Sequence, residues 1–436
     1  MNPRDRQILH IALPSIVSNI TVPLLGLVDV AIVGHMGNAV YIGAIAVGSM
    51  IFNLVYWIFG FLRMGTSGMT SQAFGRRDMT EVMRLLMRSL IVALVVALCL
   101  IVCQQPLLSL MFWLIQPTPD IAPLASTYFY ICIWGAPAML GLYGLMGWYI
   151  GMQNTRVPMF ISIMQNVVNI VASLSLVYMF DMQLEGVATG TLIAQYAGLF
   201  VGLFLLLRYY GRLRKYVVLT GLLNRHALWQ FFIVNRDIFL RTLFLVAVNL
   251  YFTSAGAQQG AVILAVNTLL IQLYLLFSYV MDGFAYAGEA VGGKYYGARN
   301  VSAFRDTVKR LFVWGGAMVV FFTSIYAIGG NAFLHLLTND NFVITASDEY
   351  FYWALAIPIV GVAAFIWDGI FIGITATRGM LISSVIATAA FFSVYLGLRG
   401  IIGNHALWLA MIVYLAMRGL VQTFIFRYSL SAKIAA

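Results

Sequence analysis

Charge is scarce in this 436-residue chain: Asp, Glu, Lys and Arg make up 9 % of it, against about 25 % in an ordinary soluble domain. That scarcity excludes a globule whose main solvent is water. Acids are scarcer than bases, 15 against 25, and the net charge is +10. A basic balance suits a nucleic-acid binder only when it forms a patch, and here the Lys and Arg sit in short gaps between apolar runs. Nucleic acid is therefore not an expected partner. Cysteine is nearly absent, and Cys99, Cys103 and Cys132 all lie in apolar stretches, which excludes a disulfide framework or a thiolate metal site. No His/Cys/Asp cluster has metal-ligand spacing, and the glycine-rich GEAVGG at 288–293 lacks the strand that a phosphate loop needs.

What the chain has is apolar length. Hydrophobic residues make up 62 % of it, and runs of roughly 20–25 residues, enough to cross a hydrocarbon core, recur twelve times. They fall at 8–34, 41–63, 86–114, 123–150, 158–180, 186–208, 231–255, 261–292, 309–337, 349–376, 380–402 and 405–427. No small-residue cleavage site follows the first run, so it reads as a retained span and not a leader.

The gaps alternate in charge. One set holds Arg4 and Arg6, Arg76 to Arg88, Arg156, Arg208 to Arg225, Arg299 to Arg310, Arg378, Arg427 and Lys433. The other holds Asp120, Asp181, Glu185, Asp340, Asp348 and Glu349, with Arg399 as its one cation. The positive-inside rule then puts both termini in the cytoplasm, as an even span count requires.

The sequence also repeats at an offset of about 220 residues. STYFY (126–130) corresponds to DEYFY (348–352), GWYIG (147–151) to GIFIG (369–373), and GRRD (75–78) to GARN (297–300). Six spans per repeat make the repeats parallel about an axis along the membrane normal. The expectation is an all-α integral membrane protein of twelve transmembrane helices in two six-helix lobes related by a pseudo-two-fold repeat: residues 1–208, a cytoplasmic linker at 209–230, and residues 231–436.

Four acids interrupt the spans: Asp29, Asp282, Glu289 and Asp368, with no Lys or Arg close by in their own segments. A charge at a helix centre costs about 2.5–3.5 kcal/mol on insertion scales, and keeping a carboxyl neutral near pH 7 takes about 4 kcal/mol. Protonation is thus a workable way to house these groups, which is what proton coupling requires. A Na⁺ ion held with backbone or Asn oxygens is the other way, and Asp282, Glu289 and Asp368 are candidates for it.

Ser15, Ser18, Gly26 and Asp29 share one helical arc, interrupted by Pro14 and Pro23, a candidate hinge beside the acid. Ser162, Asn166, Asn169 and Ser173 form a second stripe that could hydrogen-bond toward Asp29. Asp282, Tyr286 and Glu289 share a third face, the carboxylates roughly 10 Å apart. Tyr286 and Met64 are candidates for a cavity lining. The repeats are asymmetric in charge, since Asp29 corresponds to Asn249, and Asp282, Glu289 and Asp368 to Gly60, Ser67 and Met146.

The segments LPSIVSNITVPLLGLVDVAIVGHMG, FLRMGTSGMTSQAFGRRD, MDGFAYAGEAVGGKYYGARN and WDGIFIGIT resemble the multidrug and toxic compound extrusion (MATE) transporters over nearly the whole chain. The resemblance implies export of organic cations and other xenobiotics against H⁺ or Na⁺, a multi-pass protein of the bacterial inner membrane acting as a monomer in the lipid bilayer, and no cofactor beyond the coupling ion. It gives Asp29 the role of the first-helix coupling acid, with Asn169 beside it, and Asp368 that of the tenth-helix acid. A further acid of many relatives appears here as Ser173, which leaves Asp29 the one carboxylate of its site and favours H⁺.

Two alternatives remain. A lipid-linked oligosaccharide flippase would need a cationic cavity, and the spans read as holding acids and almost no buried cation. A membrane-embedded enzyme would need a nucleophile, base or metal constellation that the sequence does not offer, so no enzymatic activity is expected.

Overall fold

The computed structural model describes residues 2–34, 39–338 and 341–430; within them, the side chains at 22, 24–31, 33, 34, 39, 331, 336, 429 and 430 lie outside the description. Asp29 is therefore described as backbone only, within a continuous helix, and Asp340 and Lys433 lie outside the described residues.

The described chain is helical, as apolar segments in lipid must be when every backbone N–H and C=O needs an internal partner. Helix α1 spans Pro3–Gly34, α2 Val40–Gly75, α3 Met79–Val102, α4 Ala122–Gly151, α5 Arg156–Tyr178 and α6 Gln183–Tyr210. Helix α7 spans Arg225–Gln258, α8 Ala261–Gly297, α9 Val301–Leu337, α10 Phe351–Gly373, α11 Thr377–Ile402 and α12 Asn404–Ile425. Short helices at Gln104–Ile115 and Asn341–Asp348 lie between spans. Ten stretches among the described residues are long and apolar enough to cross a membrane, and α1 and α7 bring the long helices to twelve.

Several helices outrun the apolar runs that mark them. Helix α2 continues to Gly75, past the expected end at 63, and α9 begins at Val301, before the expected 309. Polar ends extend a helix when a cap satisfies its first amides. Asp78 accepts from the Glu81 amide at 3.0 Å to start α3, and Asn300 accepts from the Ala303 amide at 3.0 Å to start α9. These caps occupy corresponding places in the two repeats. So do the left-handed residues before them, Arg77 (φ 61°) and Arg299 (φ 54°), and the pair Gln153 (φ 64°) and Thr375 (φ 54°).

The chain divides into two compact units, one of Val17–Asn235 and one of Met1–Ile16 with Arg236–Ala436. Helix α1 thus contributes its start to one unit and its remainder to the other, the division falling just past Pro14. In the first unit, Gly147 and Gly151 of α4 carry the close approach to α2: a Cβ at Gly147 would stand 2.3 Å from the Arg63 carbonyl oxygen, and one at Gly151 2.9 Å from that of Ser67. In the second, a Cβ at Gly369 of α10 would stand 2.2 Å from the Ala285 carbonyl oxygen of α8, and one at Gly373 2.8 Å from that of Gly288. Glycine is required at these crossings because only a side chain without Cβ lets the backbones meet.

The segment after α6 packs within the first unit. Arg84 donates to the Thr220 carbonyl at 2.7 Å, and Arg88 to Leu222 at 2.8 Å and to Gly221 at 3.3 Å, while Glu81 accepts from Arg88 at 2.5 Å. Arg88 is buried. It pins the inter-repeat segment, although its place in the charge pattern is that of a gap residue.

Candidate functional site

In the Val17–Asn235 unit, the polar stripe of α5 divides between two neighbours. Its first half faces α1: the Ser162 and Ser18 hydroxyls pair at 2.8 Å, and Asn166 Nδ2 donates to the Thr21 carbonyl at 2.8 Å. Its second half faces α6, where Asn169 Nδ2 donates to Thr191 Oγ1 at 3.0 Å and Ser173 packs against Gly190, whose missing Cβ would stand 2.2 Å from Ser173 Oγ. Asn169 and Ser173 are each 0 % exposed. Asn169 Oδ1 and Ser173 Oγ, one helical turn apart, have no hydrogen-bond partner among the described residues. Buried polar atoms left in that state cost about 1–3 kcal/mol each.

Ser15 donates to the Ile11 carbonyl at 2.8 Å inside α1, and the helix runs unbroken through Pro14 and Pro23. Thr66, Ser67 and Thr70 on α2 are also buried, their hydroxyls without a hydrogen-bond partner among the described residues. Met64 is half-buried, as is Tyr286 at the corresponding position of the other repeat.

In the other unit, Asp282 is half-buried on α8. Glu289 is 1 % exposed, so it does not reach out to the membrane surface beside Lys294. It sits in a widened π turn, Gly288–Gly292, where α10 glycines approach. The 100° periodicity that placed Asp282, Tyr286 and Glu289 on one face does not carry through that turn.

Asp368 departs most from its sequence reading. Its carboxylate is held by two arginines from distant helices: Arg241 of α7 donates to Oδ2, and Arg418 of α12 donates to the same oxygen at 2.5 Å. Gln422 Nε2 donates to Oδ1 at 2.6 Å. Arg241 is 5 % and Arg418 2 % exposed, and the Arg418 guanidinium lies 5.6 Å from the Tyr414 ring centroid. Two fixed positive charges face one carboxylate, so the cluster carries net positive charge. The reading that the spans hold acids and almost no buried cation is therefore corrected, with Arg88, Arg241 and Arg418 all buried. Near these groups, Asp237 is buried too, accepting from Arg236 at 2.9 Å and from Thr377 at 3.3 Å.

Two six-helix units, closed by matching glycine contacts and holding their polar groups inside, define a polytopic membrane protein of the kind that moves solutes. The MatE family model matches the chain twice, at residues 14–175 and 238–396, at the spacing of the repeat. The chain is 36 % identical to DNA damage-inducible protein F of Escherichia coli K12, over 97 % of this chain and 92 % of that one. It is 24 % identical to Protein DETOXIFICATION 44, chloroplastic, of Arabidopsis thaliana, over 94 % of this chain and 80 % of that one. The fold matches a crystal structure of MATE in the bent conformation with a TM-score of 0.88 at 18 % identity, covering 100 % of this chain and 98 % of that one. It matches a MOP-superfamily transporter from Pyrococcus furiosus with a TM-score of 0.87 at 16 % identity, covering 100 % and 97 %. The chain belongs to the MATE family of multidrug and toxin efflux transporters.

Proposed function

We propose that this protein is a secondary antiporter that exports amphipathic xenobiotics, organic cations among them, in exchange for H⁺, with the proton handled in the Val17–Asn235 unit around Asp29, Asn166, Asn169 and Ser173. The observation that carries this reading is the pair of buried oxygens Asn169 Oδ1 and Ser173 Oγ on α5, which have no hydrogen-bond partner among the described residues. A carboxyl that gains and loses a proton can satisfy such atoms in one state and strain them in the other, which biases a two-state equilibrium. H⁺ is favoured over Na⁺ on charge. Ser173 supplies no second carboxylate beside Asp29, and Asp368 is already compensated by Arg241 and Arg418, so a Na⁺ site at Asp282, Glu289 and Asp368 loses one of its three acids.

The transport cycle is rocking alternating access of lobes at 1–208 and 231–436 joined by a linker at 209–230, with Pro14 and Pro23 letting α1 bend. The protein works as a monomer in the bacterial inner membrane with both termini cytoplasmic, and it needs no cofactor and performs no enzymatic step. The test is efflux of a fluorescent organic cation from proteoliposomes under a pH gradient and then a Na⁺ gradient, for wild type and Asp29→Asn. Efflux driven by the pH gradient and lost in Asp29→Asn is expected. Efflux driven by Na⁺ alone and indifferent to Asp29→Asn would move coupling to Asp282 and Glu289.

A further inference from the structure

Arg241, Arg418, Asp368 and Gln422 form a donor-rich cluster inside one unit. Each guanidinium carries five N–H donors, yet the acceptor the two share is one carboxylate oxygen. Nε of Arg241 and Nε of Arg418 are both buried with no partner among the described residues. Among these four side chains alone, two cations face one anion. Buried guanidinium groups persist where their donors and charge are met, and they match planar oxyanions in particular. The cluster is not sealed, since the Asp368 side chain keeps 10 % of its surface exposed.

We propose that Arg241 and Arg418 form a binding site for the anionic headgroup of an amphipathic organic molecule, a carboxylate or sulfonate on an apolar body, and that Asp368 is the internal anion that competes for the same guanidinium groups. Asp368 then acts as a counter-ion and not as a cation ligand. Gln422 holds Asp368 by its other oxygen and so sets how readily the carboxylate yields its place. The site gives the anionic end of a substrate its own place in the fold. It rests on the export reading for the transport step alone; binding stands by itself.

The test is a matched pair of probes on one ring system, pyrenebutyrate and pyrenebutyl-trimethylammonium, titrated into the purified full-length protein in neutral detergent. Binding is read as energy transfer from the 9 tryptophans. Arg418→Gln and Arg241→Gln should each weaken pyrenebutyrate binding about tenfold or more, the scale for truncating one partner of a desolvated charge pair, and leave the cationic probe within about twofold. Asp368→Asn should tighten pyrenebutyrate binding by removing the competing anion. That sign is decisive, because a folding defect cannot strengthen binding.

Repeating the titration in phosphatidylcholine nanodiscs with and without phosphatidylglycerol separates two sources of the headgroup. Competition by phosphatidylglycerol assigns the site to a lipid, and indifference to it assigns the site to a free organic anion; both support the site. Unchanged pyrenebutyrate binding in both arginine variants, or no tightening in Asp368→Asn, overturns it. Failure of cation efflux in proteoliposomes would strike the export reading instead and leave the binding result as it stands.

Discussion

The two units share a scaffold and differ in what they bury. In the Val17–Asn235 unit, Gly147 and Gly151 admit the α2 backbone, and the polar groups buried on α2 and α5 are neutral: Thr66, Ser67, Thr70, Asn169 and Ser173; the one buried charge among its described residues, Arg88, lies on α3 against the inter-repeat segment. In the other, Gly369 and Gly373 admit the α8 backbone in the same way, and the buried polar groups include charged ones: Asp237, Arg241, Glu289, Asp368 and Arg418. Backbone contact through glycine asks nothing of the side chains on the far faces of the same helices. One packing solution can therefore carry a neutral interior in one repeat and an ionic interior in the other. Charges in the one interior must be offset by pairing, whereas the neutral groups of the other ask for hydrogen bonds at most.

The largest expected effect breaks the ionic interior. Asp368→Leu removes the one carboxylate that Arg241 and Arg418 share and should destabilise the protein by about 3–5 kcal/mol, the range for leaving a buried charge uncompensated. Replacing the whole cluster with apolar residues, as in Arg241→Met/Asp368→Leu/Arg418→Met, should recover most of that loss, because paired charges in a core contribute little beyond meeting their own desolvation. Denaturant unfolding in detergent reads both. A triple variant no more stable than Asp368→Leu would mean that the cluster holds the helices together in its own right.

A second, smaller effect tests what the units share. Gly369→Ala and Gly147→Ala each drive a methyl toward a backbone oxygen at 2.2 and 2.3 Å, and overpacking of this kind costs about 1–3 kcal/mol. The two losses should agree within about 1 kcal/mol, while Gly316→Ala and Gly397→Ala, with open space around the added methyl, should be neutral or slightly stabilising. A large loss for one glycine of the pair and none for the other would break the equivalence of the two crossings.

Those glycines were legible in the sequence because the close approach depends on residue identity alone, and GWYIG and GIFIG stand in register. The twelve spans were legible for a similar reason: hydropathy is local. The partners of Asp368 were not, since Arg241 lies 127 residues before it and Arg418 50 after it, and only the fold brings them together. A clue was nevertheless present. Arg241 in IFLRTLFLVA and Arg418 in YLAMRGLVQ interrupt apolar runs as plainly as the acids do, and a cation inside a span must find an anion just as an acid must be neutralised. Arg88 was passed over in the same way, counted with the gap charges although it lies on α3 and its guanidinium is buried against the carbonyls of 221 and 222. The division of the α5 stripe between α1 and α6 had no counterpart in periodicity, which says which residues share a face but not which neighbour that face meets.

The smallest expected change in stability sharpens the contrast from the neutral side. Ser173 Oγ is buried and has no partner among the described residues, so Ser173→Ala removes an unsatisfied group and leaves a methyl where the contact with Gly190 is already tight. Stability should stay within about 0.5 kcal/mol of wild type or rise slightly, as expected when an unpaired buried hydroxyl is deleted. Asn169→Ala should lose about 1 kcal/mol, because it forfeits the bond to Thr191. If the neutral interior serves proton coupling, both variants should slow pH-driven efflux several-fold although only one loses stability. A structural role predicts the reverse ordering, with efflux following stability and Ser173→Ala behaving as wild type. Measuring unfolding and efflux on the same two preparations separates the cases, since in Ser173→Ala a loss of transport has no loss of folding to hide behind.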